Sequence, residues 1–338
     1  MSDNVFFAGL DVGGTTVKAL LIDSRGQQVG DMVELRSRGS EGYPATFKQL
    51  RLALDQLCED TDNIGFDQIA AVGLDVPVPS CDGVVWGQSN LNEDWVGVNI
   101  RDEFSKAIHR PCYMTNDGSA AAYCEWLLRP DHKGPLLFVA PGTGLGGGFV
   151  LGGGQLYEGA NGLAMEIGGV SVPFREEDGS LPECSGKGPG SLEAWVSLVA
   201  LRRQLGQALA KPENASHPLA NEDIPIQEKA FKLRDYCEEG DDLARAIFQR
   251  QAHILGWAMG DQASELDPGL IVIGGGLAET GFRSWYLDHV REGFKERASS
   301  FFITSPIPPH RSTTRFDWAV GGDYAAAIGV AHKAMELV

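Results

Sequence analysis

The sequence predicts an α/β protein built from two domains of similar plan. The N-terminal region reads as three consecutive apolar strands, and a Gly-rich turn joins the first two of them. Near residue 135 the same plan starts again, with a strand, a Gly-rich turn and a return strand. Segments with apolar residues at helical spacing follow both groups of strands. The predicted strands of the two groups are 5–11, 16–22 and 27–35, then 136–140 and 149–151.

The first domain continues with alternating helices and strands. Residues 44–58 carry Phe47, Leu50, Leu54 and Leu57 at helical spacing, which predicts a helix. The apolar runs that follow are each flanked by turn residues, as expected for alternating strands and helices. These units are a strand at 69–76, a helix at 100–108, a strand at 111–115 and a helix that begins near Gly118.

The second domain is richer in helix. Helical patterns dominate residues 190–265, and we expect the polar stretch 211–223 within them to be a surface loop. A buried strand at 270–273, a helix at 282–297 and an Ala-rich helix at 324–335 complete the chain. Because a duplicated α/β plan favours two lobes, we expect a ligand cleft between them. The predicted boundaries are 1–125 and 126–318, with 319–338 packing back on the first domain.

Composition excludes several classes of protein. The chain of 338 residues has 28 Lys and Arg against 46 Asp and Glu, a net charge of −18, which disfavours nucleic-acid and anionic-membrane partners. Its apolar runs are far shorter than the roughly 20 residues of a membrane span, and no signal-peptide pattern opens the sequence. The six cysteines show no CxxC spacing. We therefore expect reduced thiols and a cytoplasmic location.

The turn at Asp11-Val-Gly-Gly-Thr-Thr16 is suited to phosphate. Gly13 and Gly14 leave backbone N–H groups bare, and Thr15 adds a hydroxyl donor. Asp11 places one carboxylate where Mg²⁺ could bridge protein and phosphate. An ordinary Gly-rich hairpin explains this turn equally well when it is taken alone.

Two later Gly-rich segments support the same chemistry. Pro141–Gly148 joins two strands and offers the Thr143 hydroxyl, so the chain has a phosphate-type turn in each half. It does not open a helix, which argues against a dinucleotide fingerprint. Gly274–Gly276 ends a buried strand and lets a ring or phosphate approach the backbone; a plain strand–helix connection is the alternative.

Asp117 is the candidate general base. It follows a short strand in Thr115-Asn-Asp-Gly-Ser119, at the expected start of a helix of small residues. A carboxylate there can accept a proton from a hydroxyl during phosphoryl transfer. Helix capping is the competing explanation, because Asn and Asp are favoured at that position regardless of function.

Taken together, these motifs resemble those of a known family. In order, DVGGTT, TNDGSAAA, APGTGLGGG and IVIGGG resemble the phosphate-1, connect-1, phosphate-2 and adenosine motifs of the sugar kinase, actin and heat-shock protein superfamily. The stretch from Gly142 to Gly168 and Asn90-Leu-Asn-Glu-Asp-Trp95 resemble the ROK family of sugar kinases and sugar-responsive repressors. The resemblance implies a two-lobed actin-like ATPase (ribonuclease H-like) fold, with duplicated α/β domains around a cleft.

The resemblance also implies roles for individual residues. Asp117 would be the catalytic base, Asp11 would hold Mg²⁺ through water, and the family suggests a homodimer. Sugar-binding positions would be Asn90, Asn116, Asp117, Glu166 and Glu193. ATP-binding positions would be Asp11, Gly13, Gly14, Thr15, Thr16, Thr143, Gly144, Gly275 and Gly276, although many family members have Lys in place of Thr16.

One departure from the family concerns zinc. Family kinases usually have Glu-Ile-Gly-His followed by a CxCGxxGCxE segment, which together bind a structural zinc. Here Gly169 replaces the His, and residues 184–193 contain the single cysteine Cys184. A structural zinc site needs about four N or S ligands, so we expect no structural zinc. The lost His is also a sugar contact in the family, which affects specificity.

The resulting hypothesis is an ATP-dependent kinase of a hexose, glucose first. Alternatives are an N-acetylhexosamine or fructose kinase, and a non-catalytic sugar-binding sensor. Polyphosphate as donor is disfavoured by the acidic charge. A repressor is disfavoured because four residues precede Val5, too few for a helix-turn-helix.

Overall fold

A central sheet organises the N-terminal part of the chain. The structure is a computed structural model that describes residues 5–61, 64–87, 91–304 and 313–338. The first elements are β1 (Phe6–Val12), β2 (Thr16–Asp23), β3 (Gln28–Arg36), α1 (Tyr43–Asp60), β4 (Ile69–Val76), β5 (Ser80–Cys81), β6 (Val84–Val85), α2 (Ile100–Ile108), β7 (Cys112–Asn116) and α3 (Asp117–Leu127).

This sheet has the strand order β3-β2-β1-β4-β7. The β1–β2 and β2–β3 pairs are antiparallel, whereas β4 pairs in parallel with both β1 and β7. Successive side chains of a strand point to opposite faces. In β1, Phe6, Ala8 and Leu10 pack in a core shared with α1 and α2, while Phe7 packs with the C-terminal helix.

The second part of the chain is mostly helical. It contains β8 (Leu136–Pro141), β9 (Leu145–Leu151), β10 (Gln155–Leu156), α4 (Glu193–Val196), α5 (Leu198–Leu209), α6 (Pro218–Asn221), α7 (Ile226–Glu239), α8 (Asp242–Leu266), β11 (Leu270–Ile273), α9 (Arg283–Arg297), α10 (Ser300–Ile303), β12 (Arg315–Trp318) and α11 (Ala325–Met335). The second sheet has the order β10-β9-β8-β11-β12, in which β11 pairs in parallel with β8 and β12.

Two predicted local features are wrong. The stretch 211–223 is not a loop throughout, because it contains a 3-10 turn at Pro212–Asn214 and helix α6, whose Leu219 is fully buried. The turn expected at 141–148 is shorter: β9 begins at Leu145, so its glycines are strand residues. Close packing against α3 explains the glycine at position 148 of β9, because a Cβ there would lie 2.4 Å from the Gly118 carbonyl oxygen. A larger residue would force this strand and helix apart.

Helix α11 lies directly against the first sheet. Gly9 of β1 and Gly73 of β4 are register partners. A Cβ on Gly9 would lie 1.9 Å from the Ala327 carbonyl oxygen, and one on Gly73 would lie 1.9 Å from that of Val330. Only glycine permits this approach of helix and sheet backbones, and the Ala-rich composition of α11 serves the same contact.

By its internal contacts the chain divides into two compact units. Unit 1 comprises the described parts of Met1–Lys133, Gly148–Met165 and Val320–Val338, and unit 2 those of Gly134–Gly147 and Glu166–Ala319. Our sequence analysis placed 148–165 in the second domain, whereas this grouping assigns that segment to unit 1. Among the described residues no helix is long and apolar enough to span a membrane.

Candidate active site

The β1–β2 turn keeps its tip open. The Gly13 amide donates to the Thr16 carbonyl oxygen at 2.7 Å, which closes the hairpin. Gly14 and Thr15 are exposed, and no atom lies within 4 Å of the place where a Cβ on Gly14 would be. Neither glycine has a positive φ. The glycines therefore leave space above the backbone rather than permit an unusual backbone conformation, as a phosphate-binding turn requires.

Three aspartates of unit 1 lie close together at the ends of parallel strands. Asp11 of β1 is the register partner of Asp75 of β4, and Val76 pairs with Asn116 of β7, immediately before Asp117. Asp75 is fully buried, and among the described residues no backbone amide, hydroxyl or cationic side chain donates to its carboxylate oxygens. Its polar neighbour is Asp11, to which it is hydrogen-bonded. Sequence reasoning missed Asp75, although its place in an apolar strand was a signal.

Burial sets the charge of this cluster. It raises the pKa of Asp75 well above its usual range, and the charges of Asp11 and Asp117 raise it further. Burial also raises the pKa of Asp11, whereas the Asp75 hydrogen bond and the Lys18 ammonium oppose that rise. Of the two, Asp75 therefore has the stronger tendency to hold a proton, and Asp11 has the stronger tendency to be ionised. An ionised Asp11 has the chemistry of a Mg²⁺ ligand.

Asn116 and Asp117 form the start of α3. The Ser119 amide donates to Asn116 Oδ1 at 2.7 Å, so Asn116 is the N-cap. Asp117 is exposed, and its Oδ1 accepts from the Gly118 amide at 2.8 Å. The capping explanation thus holds for Asn116. The carboxylate of Asp117 lies at the N-terminus of α3, where the helix dipole favours negative charge.

The phosphate-2 turn of unit 2 is tied down from two sides. The Leu198 amide at the start of α5 donates to the Gly142 carbonyl oxygen at 2.8 Å. The Leu145 amide donates to Glu193 Oε2 at 2.8 Å. Thr143 stays exposed at the tip. A rigid turn with an exposed hydroxyl suits a phosphate ligand.

The third Gly-rich segment lies beside this turn. Gly275 has φ +75°, and a Cβ there would lie 2.2 Å from the Pro141 carbonyl oxygen. A cavity of about 100 Å³ opens next to it, and Arg234, which the sequence analysis missed, donates to the Gly276 carbonyl oxygen at 3.4 Å. The structure thus brings Thr143 and Gly276 to one cavity. Its lining includes Thr143, Leu198, Leu201, Arg234, Phe248 and Gly276.

Glu166 and Glu193 are brought together by a residue that sequence reasoning missed. The Lys187 Nζ lies 3.2 Å from Glu166 Oε2 and 3.6 Å from Glu193 Oε2. Glu166 follows Met165, which has φ +66°, a strained conformation for a side chain of that size. Nothing lies within 4 Å of the place where a Cβ on Gly169 would be. Within the described residues, no His, Cys, Asp and Glu side chains form a group of three or more suited to a metal. The expected lack of structural zinc stays a prediction.

Asn90 lies outside the described residues. The adjoining segment is anchored to the start of α1: Asn92 donates to the Ser40 carbonyl oxygen at 3.0 Å, and the Tyr43 amide donates to Asp94 Oδ1 at 3.3 Å. A cavity of about 400 Å³ borders this segment within unit 1, lined by Val78, Leu91, Asn92, Glu93 and Trp95 among others. The space is ample for one sugar ring.

Comparisons with known proteins show sugar kinases among the relatives of this chain. The chain is 28% identical over 313 residues to a glucokinase of Halalkalibacterium halodurans, covering 89% of this chain and 92% of that protein. It is 26% identical over 282 residues to an N-acetylmannosamine kinase of Yersinia pseudotuberculosis, covering 83% and 85%. A crystal structure of a ROK family glucokinase from Streptomyces griseus in complex with glucose and AMPPNP superposes with a TM-score of 0.74 at 25% identity, covering 98% and 99%.

Each of these matches covers more than four fifths of this chain and of the relative. The structural match confirms the predicted fold class, an actin-like ATPase fold of α/β type. The ROK family itself matches residues 7–336. The chain therefore belongs to the ROK family.

Proposed function

We propose that this protein is an ATP-dependent sugar kinase that transfers the γ-phosphoryl group to a hydroxyl of a hexose, with glucose as the first candidate. The observation that carries this proposal is the carboxylate cluster of unit 1, in which Asp117 begins α3 near the hydrogen-bonded pair of Asp11 and the buried Asp75. A base and a cation ligand at one edge of a sheet are the parts that phosphoryl transfer to a hydroxyl requires. Glucokinases among the relatives support the choice of acceptor.

In this proposal each residue has a separate task. Asp117 accepts the proton of the attacking hydroxyl, and Asp11 holds Mg²⁺ through water. When bound, Mg²⁺ neutralises charge on the transferred phosphoryl group. The side chains of Asn90, Asn116, Glu166 and Glu193 bind sugar hydroxyls. Donor phosphates and nucleotide contact Gly13, Gly14, Thr15, Thr16, Thr143, Gly144, Gly275 and Gly276.

Asn116 can offer the sugar mainly its amide nitrogen. Its Oδ1 is taken by the Ser119 amide, which makes the side chain rigid as well as oriented. A fixed donor beside a carboxylate can bind one sugar hydroxyl while Asp117 deprotonates its neighbour. The cap is thus compatible with the proposed role.

A second candidate acceptor is an N-acetylhexosamine such as N-acetylmannosamine. The open space at Gly169, three residues after Glu166, supports it, because a bulky substituent on the sugar would find room there. The N-acetylmannosamine kinase among the relatives points the same way. A homodimeric, cytoplasmic enzyme completes the proposal, and light scattering in solution tests the dimer.

The test is an ADP-release assay with Mg²⁺-ATP against a panel of hexoses and N-acetylhexosamines. We expect a sugar-dependent rate that names the acceptor. Asp117→Asn should lower kcat by roughly 10²- to 10⁴-fold while sugar and ATP still bind. Asp102→Asn is the matched control, because Asp102 also lies in the first turn of a helix, α2, and accepts the Asn99 amide side chain. Full turnover in Asp117→Asn would refute the assignment of Asp117 as the base. The absence of a rate with every sugar would refute the assignment of the protein as a sugar kinase.

A further inference from the structure

Lys187 connects two acidic residues that lie 27 positions apart in the chain, and this contact has a consequence for the acceptor site. The side chain is 19% exposed, and its ammonium contacts Glu166, which is 54% exposed, and Glu193, which is 15% exposed. An ammonium has three donors on one atom and can hold two carboxylates at once. Lys187 thus links the exposed Glu166 to the largely buried Glu193.

Glu193 is held by further contacts. Its Oε2 accepts from the Leu145 amide of the phosphate-2 turn, and its Oε1 accepts from the Cys184 thiol at 3.0 Å. Both oxygens of this carboxylate therefore have donors, and the Lys187 ammonium adds an ion pair to Oε2. Glu193 therefore has one orientation, set from three directions.

The local backbone is shaped to admit the lysine. The Lys187 amide donates to the Cys184 carbonyl oxygen at 3.2 Å, forming a turn in which Gly186 has φ +76°. Across from it, a Cβ on Gly168 would lie 3.0 Å from Lys187 Nζ and 2.9 Å from Glu193 Oε2. Glycine at 168 thus leaves the space that the ammonium and the carboxylate occupy.

We propose that Lys187 is a positioning residue of the acceptor site, whose ammonium holds Glu166 and Glu193 in the orientation that binds the sugar. This inference rests on the proposed function, since the sugar is the ligand of both carboxylates. Two carboxylates at one site repel each other, and the cation between them removes that repulsion. When the carboxylates are already ordered before the sugar binds, less conformational entropy is lost on binding, and the affinity is higher.

The variants are Lys187→Met, which removes the charge, Lys187→Gln, which keeps a donor, and Lys187→Arg, which keeps the charge. Lys211→Met is the matched control, because Lys211 in the same unit contacts one exposed carboxylate, Glu177. We expect the sugar KM to rise about tenfold to hundredfold in Lys187→Met, the worth of a charged hydrogen bond. The KM for ATP and the unfolding midpoint should change little, and Lys187→Arg should recover part of the sugar affinity.

A second readout does not need turnover. Burial and the hydrogen bond to Glu193 raise the pKa of Cys184 to about 11, and the Lys187 charge partly opposes that rise. Removal of the ammonium should therefore slow alkylation of Cys184 by iodoacetamide at pH 9, followed by peptide mass spectrometry. Lys211→Met should leave that rate unchanged.

The outcomes separate the two proposals. If the wild-type protein is inactive on every sugar and Cys184 alkylation is slowed in Lys187→Met, the contact between Lys187 and Glu193 is real. That result nevertheless refutes both the kinase proposal and the positioning role. An active enzyme whose sugar KM is unchanged in Lys187→Met overturns the inference alone. Loss of folding in both Lys187→Met and Lys187→Gln would show that the lysine is structural, which also overturns it.

Discussion

Glu125 of α3 is a fully buried carboxylate that holds the chain just before α11. Its oxygens accept from the Val320 amide at 3.0 and 3.1 Å and from the Gly321 amide at 2.8 Å. The same carboxylate pairs with Arg129, whose side chain is 12% exposed. We predict that Glu125→Ala is among the most destabilising single substitutions in unit 1.

The magnitude follows from what the substitution leaves behind. Glu125→Ala removes the carboxylate partner of the largely buried Arg129 guanidinium and leaves the Val320 and Gly321 amides without this acceptor. Loss of one partner of a buried ion pair costs about 3–5 kcal/mol. Glu125→Gln keeps an oxygen for the amides but loses the charge, so we expect about 1.5–3 kcal/mol. Glu103→Ala is the control, because Glu103 pairs with Lys106 on the surface, where such pairs contribute less than about 1 kcal/mol.

Two measurements test this prediction. Urea unfolding gives the free-energy loss of each variant, and hydrogen exchange of the peptide around Val320 and Gly321 reports on the contact itself. Exchange there should accelerate in Glu125→Ala and stay unchanged in Glu103→Ala. If Glu125→Ala costs no more than Glu103→Ala, the reasoning from burial and pairing is refuted.

Three further predictions concern packing, pH and metal. Gly73→Ala should destabilise unit 1 by about 3 kcal/mol, because its Cβ would meet the Val330 carbonyl oxygen, whereas Gly188→Ala in open space should be nearly neutral by urea unfolding. Burial lowers the pKa of His332, so the unfolded chain binds its proton first as pH falls. Stability should therefore drop from about pH 7 downward, and less so in His332→Gln. Metal analysis of the purified protein should find far less than one zinc per chain; a stoichiometric amount contradicts this.

Elements with strong patterns were predicted closely from the sequence. The structure has β4 at Ile69–Val76, α2 at Ile100–Ile108 and β11 at Leu270–Ile273, as the sequence analysis expected. Each is bounded by turn residues and buries a clear set of apolar side chains, so local pattern and tertiary packing favour the same structure.

Short elements were missed because their local signal is weak. Strand β12, Arg315–Trp318, has charged residues at two of its four positions and owes its place to parallel pairing with β11. Helix α6 spans four residues and is fixed by the His217 cap and the burial of Leu219. Non-local pairing of this kind cannot be deduced from a short window of sequence.

The site shows the same division between local motif and distant contact. Gly-rich turns and Asn116-Asp117 carry their chemistry in adjacent residues, so the motif itself indicates a role. Asp75 and Lys187, in contrast, act through partners that are not their sequence neighbours. The partner of Asp75, for example, is Asp11. Their sequence neighbours give no sign of these partners, and only the register of β1 with β4 or the fold of 166–193 reveals them.

Gly144 shows how closely the two proposed ligand sites of unit 2 are joined. A Cβ on Gly144 would lie 2.8 Å from Glu193 Oε2, the oxygen that also accepts from the Leu145 amide. The glycine therefore serves the carboxylate as well as the turn. A ligand that displaces Glu193 therefore also disturbs its hydrogen bond to the Leu145 amide of the phosphate-2 turn. Sugar and nucleotide should thus alter each other's affinity by the same factor, as linkage requires.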